Sequence, residues 1–130
     1  MRISALCLTA SAAMAQPLSA RAQELLSPSG LAMELHEVLY ELQPYSDELW
    51  AILRILAPGL AGSTADPQAD LDWACAEWGP TAMDTAPEPP VQVVVQIMDQ
   101  IVPRGQVNAD ATQFFAGYVI RNNTCIWEGF

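Results

Sequence analysis

Lysine is absent from the 130-residue sequence, and its five basic residues are all arginines, against fifteen acidic residues. Beyond Ala22 only Arg54, Arg104 and Arg121 are basic, so this part of the chain has a net charge of −12. Nucleic acids and anionic lipid surfaces repel such a chain, and we expect neither as a partner. A solvated acidic surface is the simplest explanation of the charge. A basic protein partner or bound cations are also compatible with it.

The sequence also lacks the motifs of common catalytic and cofactor sites. It has no Gly-x-Gly-x-x-Gly or P-loop pattern to hold phosphate and no Gly-x-Ser-x-Gly elbow to present a nucleophilic serine. The acidic residues do not follow the alternating oxygen-ligand pattern of a calcium loop. We therefore expect no cofactor and no metal, and the sequence favours a non-catalytic protein.

Histidine occurs once, as His36, with Glu34, Glu37 and Glu41 nearby in the sequence. A zinc site normally needs three or four ligands, so a single histidine is a weak indication of one. Glu34, His36 and Glu37 form a candidate polar site, in which a glutamate and the imidazole could exchange a proton. The alternative to a non-catalytic protein is thus a small hydrolase or metal-dependent enzyme that uses His36 with neighbouring glutamates. A surface histidine hydrogen-bonded to a neighbour is the more ordinary interpretation.

No apolar run approaches the roughly 20 residues that a membrane-spanning helix needs. The N-terminus instead resembles a secretory signal peptide, with Arg2, a short apolar stretch, and the Ala-x-Ala sites Ala13-Met14-Ala15 and Ala20-Arg21-Ala22. We predict a signal peptide over residues 1–22, with cleavage after residue 15 as the alternative, and one domain over residues 23–130. The mature protein is expected in the periplasm or secreted, without membrane insertion.

Only three cysteines are present, and removal of the signal peptide removes Cys7. Cys75 and Cys125 then remain as a pair, which in an exported chain is most simply a disulfide. A redox-active pair and metal thiolates are the alternatives, although the sequence has no Cys-x-x-Cys spacing to support them.

The C-terminal residues 114–130 have the pattern of a β-hairpin. Asn122-Asn123 lies between two β-prone runs, and asparagine tolerates the positive φ of a tight turn. A two-residue loop there places Ile120 opposite Cys125 and Tyr118 opposite Trp127. Side chains alternate along a strand, so these four residues share one face, which we expect to point inward.

A helix is predicted to begin with Asp66 as N-cap and Pro67 in the first turn, and to end at Gly79-Pro80. Its apolar residues recur at helical spacing and form one stripe that includes the cysteine: Leu71, Ala74, Cys75 and Trp78. Asp70 and Asp72 are expected on the helix surface.

Residues 91–98 form the clearest strand, because Val91, Val93, Val95 and Ile97 alternate with a second set of side chains. Residues 31–42 and 48–57 fit either two antiparallel strands, which we favour, or two helices joined by a short turn. Residues 108–113 could hold a single helical turn.

Four short segments resemble a family of small exported alphaproteobacterial proteins that is classed as a domain of unknown function. They are Glu34-Leu35-His36-Glu37-Val38, Leu56-Ala57-Pro58, Ala111-Thr112-Gln113-Phe114-Phe115 and the ending Thr124-Cys125-Ile126-Trp127-Glu128-Gly129-Phe130. The resemblance implies a signal peptide, the same cysteine pair and a compact α+β fold, and it favours strands for the two ambiguous segments. It implies no activity.

Together these features predict an α+β fold in which a small antiparallel sheet of about five strands packs against one main helix, with one disulfide. One face of such a sheet stays exposed unless another segment covers it. Trp73, Phe115 and Val119 are candidates for an exposed interaction surface. The favoured function is an exported, non-catalytic binding or accessory protein whose partner is another periplasmic protein.

Overall fold

The computed structural model describes residues 23–130, and the predicted signal peptide with Cys7 lies outside the described residues. The elements in chain order are β1 (Leu25–Leu26), β2 (Ala32–Leu42), β3 (Leu49–Leu56), a short 3-10 helix (Leu60–Gly62), α1 (Gln68–Asp84), β4 (Gln92–Met98), β5 (Gln113–Arg121) and β6 (Thr124–Trp127). Within this part of the chain, no helix combines the length and the apolarity that a membrane crossing requires.

The six strands form one sheet in the order of the sequence, with α1 between β3 and β4. β3 and β4 are parallel, and every other neighbouring pair is antiparallel. Parallel strands need a crossover connection, which α1 provides. The α+β class and the single main helix are confirmed. The expectation of an antiparallel sheet is wrong for its central pair, because the crossover through α1 brings β4 alongside β3 in the same direction. The expectation of about five strands is one too low, because the two-residue β1 pairs with the start of β2.

The two ambiguous segments are strands, as favoured, and they pair as β2 and β3. The alternation in β3 is unclear because this strand is buried on both faces, continuously from Ala51 to Ile55. A strand between two layers reads as a continuous apolar run. β2 adds a second irregularity, since its register with β3 shifts between Leu35 and Glu37.

The apolar stripe of α1 faces the sheet, where Leu71, Ala74 and Cys75 join the core. The predicted end at Gly79-Pro80 is wrong, because the helix continues to Asp84 with Pro80 inside it. Its last turn is fixed by burial of Ala82, whose carbonyl accepts a hydrogen bond from the Tyr40 hydroxyl at 2.6 Å.

Gly79 does not end the helix, but its missing side chain lets α1 lie close to Ile120 of β5. A Cβ at this position would lie 2.8 Å from Ile120 Cδ1 and 3.3 Å from Cys75 Sγ. At the other end, α1 begins at Gln68 with Pro67 as the N-cap. The Asp66 carboxylate still accepts the Gln68 N–H at 3.0 Å, so it satisfies one of the free donors of the first turn.

Asp70 is buried, and its prediction as a surface residue is wrong. Its carboxylate accepts hydrogen bonds from the Ser27 hydroxyl at 2.9 Å, the Ser29 N–H at 3.1 Å and the Ser29 hydroxyl. These contacts tie the turn between β1 and β2 to the helix. Helical spacing could not reveal them, because the two serines lie more than forty positions away.

Residues 99–112 cover the centre of the sheet face that points away from α1. They contain no helix: where a helical turn was expected at 108–113, a single turn closed by the Ala111 N–H and the Asn108 carbonyl at 3.2 Å leads into β5, which begins at Gln113. Buried Arg54 anchors this segment by donating to the Val102 carbonyl at 2.5 Å and to Gln96 Oε1 at 3.2 Å. Its Nε lies 2.7 Å from Glu37 Oε1, a contact between charges that lacks hydrogen-bond geometry.

Candidate binding surface

The C-terminal hairpin forms with the predicted register. Asn122 and Asn123 have φ of 51° and 58°, the left-handed conformation that a type I′ turn requires at both central residues. Ile120 lies opposite Cys125 and Tyr118 opposite Trp127. The first three pack in or against the core as expected, but the inward position expected for Trp127 is wrong: on the edge strand it is 51% exposed and its indole N–H donates to the Phe130 carbonyl at 3.0 Å. Cys75 and Cys125 form the predicted disulfide, with their Cα atoms 6.3 Å apart, and thereby join α1 to the edge strand β6.

Alternation along β5 divides its side chains between the two faces of the sheet. Ala116 and Tyr118 belong to the core under α1, so Phe115, Gly117 and Val119 point to the opposite face. Ile126 lies directly across from Val119 and shares that face. The hairpin therefore places apolar side chains on the side of the sheet that α1 does not cover.

The backbone of the last residues continues along the edge of β5, and the Phe130 ring lies over this face. Gly129 has a φ of 90°, and beyond it Phe130 returns so that its carbonyl accepts the Gly117 N–H at 2.9 Å. A Cβ on Gly117 would lie 2.1 Å from Cζ of the Phe130 ring and 2.7 Å from the Gln92 amide nitrogen. A glycine at position 117 is thus required for the ring to lie against the sheet.

We call Phe115, Val119, Ile126 and Phe130 the open-face patch. Phe115, Ile126 and Phe130 are 46%, 45% and 51% exposed, and Val119 is half-buried. Exposed apolar residues are ordinary when scattered singly, but these four are neighbours on one face. The arrangement is typical of a surface that contacts another molecule.

A cavity of about 390 Å³ lies beside the patch, where β3 and β4 begin and the chain returns to β5. Its lining combines apolar and acidic side chains: Glu48, Val91, Gln92, Val119, Glu128 and Phe130. Glu48 accepts a hydrogen bond from Trp50 Nε1 at 3.3 Å. Within residues 23–130, the two ion pairs are Arg54 with Glu37 and Arg104 with Glu41, so neither Glu48 nor Glu128 is in an ion pair.

Two further cavities continue around this end of the sheet. One of about 150 Å³ shares Val91, Gln92 and Val119 with the first and also contains Arg121. The next, of about 550 Å³, shares Met83 and Ile120 with the second. It ends at the C-terminal end of α1 and the hairpin turn. We call the three together the terminal groove.

Two of the three residues predicted as an interaction surface meet in the open-face patch, namely Phe115 and Val119. Trp73 lies on α1, on the other side of the sheet, where it is half-buried. Its ring packs edge-on against Trp78, with centroids 5.5 Å apart and planes at 78°. The structure does not bring Trp73 to the same surface.

The candidate polar site lies elsewhere, on β2. His36 is the exposed residue at the register shift, and it lines none of the three cavities. Glu37 is in the ion pair with Arg54, while Glu34 lies opposite Leu56. Among residues 23–130, no three histidine, cysteine or carboxylate side chains are grouped as metal ligands.

Sequence reasoning predicted only Val119 of the groove lining and missed, among others, Glu48, Val91, Glu128 and Phe130. Glu128 carried a usable signal, because hairpin alternation places it on the face of Ile126 and Val119. Phe130 follows a glycine with positive φ, and its return over the sheet has no strand periodicity. Glu48 and Val91 come close to Phe130 only because the starts of β3 and β4, which are distant in the sequence, lie side by side. The Val91 N–H donates a hydrogen bond to the Leu49 carbonyl at 2.9 Å at this point.

Fold and surface together define a small, acidic, disulfide-bonded α+β domain with an open apolar patch beside an acid-lined groove. The chain belongs to a family of unknown function, DUF6497, whose model matches residues 6–130. Comparisons with the curated proteins and with the solved structures give no match.

Proposed function

We propose that this protein is an exported, non-catalytic binding or accessory protein that contacts a partner protein through the open-face patch. The observation that carries the proposal is the clustering of Phe115, Val119, Ile126 and Phe130 on the part of this sheet face that neither α1 nor residues 99–112 cover. Interfaces bury a core of apolar and aromatic side chains inside a polar rim. Glu128 and Glu48 lie at the edge of the patch and provide such a rim.

The disulfide supports an exported location, and the negative charge of the domain supports a basic partner. A disulfide that joins a helix to an edge strand suits an oxidising compartment, in agreement with the signal peptide predicted over residues 1–22. The net charge of −12 beyond Ala22 would attract a basic partner over a distance set by the salt concentration.

Affinity capture from periplasmic extract tests this proposal. Because the sequence has no lysine, amine coupling attaches the protein only through its α-amino group. The first described strand, β1, lies at the opposite edge of the sheet from β6. Protein produced from the full chain would be immobilised through its α-amino group, exposed to the extract and washed at low and at moderate salt.

The decisive comparison uses two double variants, each of which replaces two exposed apolar side chains by serine. Phe115→Ser/Ile126→Ser removes half of the patch, whereas Leu26→Ser/Leu42→Ser removes side chains that are 70% and 63% exposed elsewhere. We expect the unaltered protein and the second variant to retain the same partner, and the first variant to lose it. Equal retention by both variants, or no retained protein at all, would overturn the proposal.

A further inference from the structure

We infer that the terminal groove binds a basic segment of the partner, with an arginine or lysine side chain seated between Glu48 and Glu128. This inference rests on the proposed binding function and specifies the chemistry that the surface recognises. It follows from the lining of the first cavity, which joins two carboxylates to the apolar side chains of Val91, Val119 and Phe130.

The carboxylates are available to an incoming cation. Glu48 is exposed and has only the indole N–H of Trp50 as a side-chain partner, and Glu128 is exposed as well. The arginines that pair with carboxylates do so elsewhere, as Arg54 with Glu37 and Arg104 with Glu41. A basic side chain from outside would supply the positive charge that the lining of the first cavity lacks.

The apolar part of the cavity suits the rest of such a side chain. Lysine and arginine bury an aliphatic stem while they keep the charged group at the surface. Val91 and Phe130 are each about half exposed and could cover that stem. The Phe130 ring adds a face on which a guanidinium can stack. An acidic or purely apolar segment would match only part of this lining.

Charge also argues for a different protein over a second copy of this chain. Two copies, each with a net charge of −12 beyond Ala22, repel one another. Arg121 lies in the neighbouring cavity of the same groove. It disfavours a second cation at that point, so the partner segment should carry its basic residue at the Glu48 end and a neutral or acidic residue beside Arg121.

The test is a direct titration with blocked octapeptides, followed by nuclear magnetic resonance of the ¹⁵N-labelled protein. One probe alternates valine with arginine in one half and valine with glutamine in the other, and its control has citrulline in place of arginine, which keeps the shape and removes the charge. We expect the arginine probe to bind about tenfold more tightly than the citrulline probe. The amide signals of Val91, Gln92, Val119 and Glu128 should move during the titration.

Two double variants separate local recognition from general charge attraction. Glu48→Gln/Glu128→Gln should weaken binding of the arginine probe about tenfold. Glu77→Gln/Asp110→Asn removes the same charge from exposed positions outside the groove and should change it less than about twofold. Equal losses in both variants, equal binding of the two probes, or no binding of the arginine probe would overturn the inference.

The binding function can survive a failure of this inference. If Glu48→Gln/Glu128→Gln captures the partner normally while Phe115→Ser/Ile126→Ser does not, the open-face patch binds a partner without a basic side chain between Glu48 and Glu128. If neither double variant reduces capture, both the inference and the proposed function are wrong.

Discussion

Removal of the Cys75–Cys125 disulfide should destabilise the domain strongly. The two cysteines are 50 positions apart, and the entropy of closing a loop of this length in the unfolded chain corresponds to about 4 kcal/mol. A domain of about 110 residues gains roughly 0.23 kcal/mol per kelvin of entropy on unfolding. The predicted fall in melting temperature is therefore about 15–20 °C.

Thermal melts followed by circular dichroism, with and without reductant, measure this effect. Cys75→Ala/Cys125→Ala serves as the control, since its melting temperature should be low in both conditions and insensitive to reductant. Urea titration of the same samples gives the free energy of unfolding directly. A fall of less than about 3 °C in both the reduced protein and the variant would refute the reasoning, because the loop-entropy contribution would then be absent.

Three further predictions concern buried and exposed charges. Arg54→Ala should lower the free energy of unfolding by about 3 kcal/mol, since it removes a fully buried group with three contacts. Arg104→Ala breaks an exposed ion pair and should lower the free energy of unfolding by less than about 1 kcal/mol. Equal losses for the two variants in urea titration would contradict this prediction. The hydrogen bond from Arg104 lowers the pKa of Glu41 below its ordinary value of 4.5, so the stabilisation holds above that pH and is lost as the pH falls through the folded pKa. The difference in urea midpoint between the unaltered protein and Glu41→Gln should accordingly be constant above about pH 5 and shrink below it; a pH-independent difference would contradict the assignment. Asp70→Ala should cost about 2 kcal/mol, because the Ser27 hydroxyl and the Ser29 N–H lose their acceptor, and the Asp110→Ala control should cost less than about 0.5 kcal/mol.

Local chemistry was sufficient to predict the C-terminal hairpin. Asn122-Asn123 fixed the turn, the turn fixed the register, and the register placed Cys125 on the inward face. The disulfide partner followed because removal of Cys7 with the predicted signal peptide leaves only Cys75, which the helical stripe places on the inward face of α1. These features depend on residues close together in the sequence, where turn and helix preferences act directly.

The features that the sequence did not predict depend on contacts between segments that are distant in the chain. Gly79-Pro80 ends helices in most contexts, but here the glycine permits close packing on the disulfide and the last turn gains a buried Ala82. Burial of Asp70 depends on serines from another element. The groove joins the ends of β3, β4 and β5 to the returning Phe130, so its acidic lining has no signature along the chain.

Hydrogen exchange of the protein alone and with its captured partner tests the central claim most directly. We predict slower exchange of amide groups at residues 117–119 and 126–130 and at Val91, which border the open-face patch and the terminal groove. Unchanged exchange there, with slowing confined to β2 around His36 or to α1 around Trp73, would contradict the account and place the binding surface elsewhere.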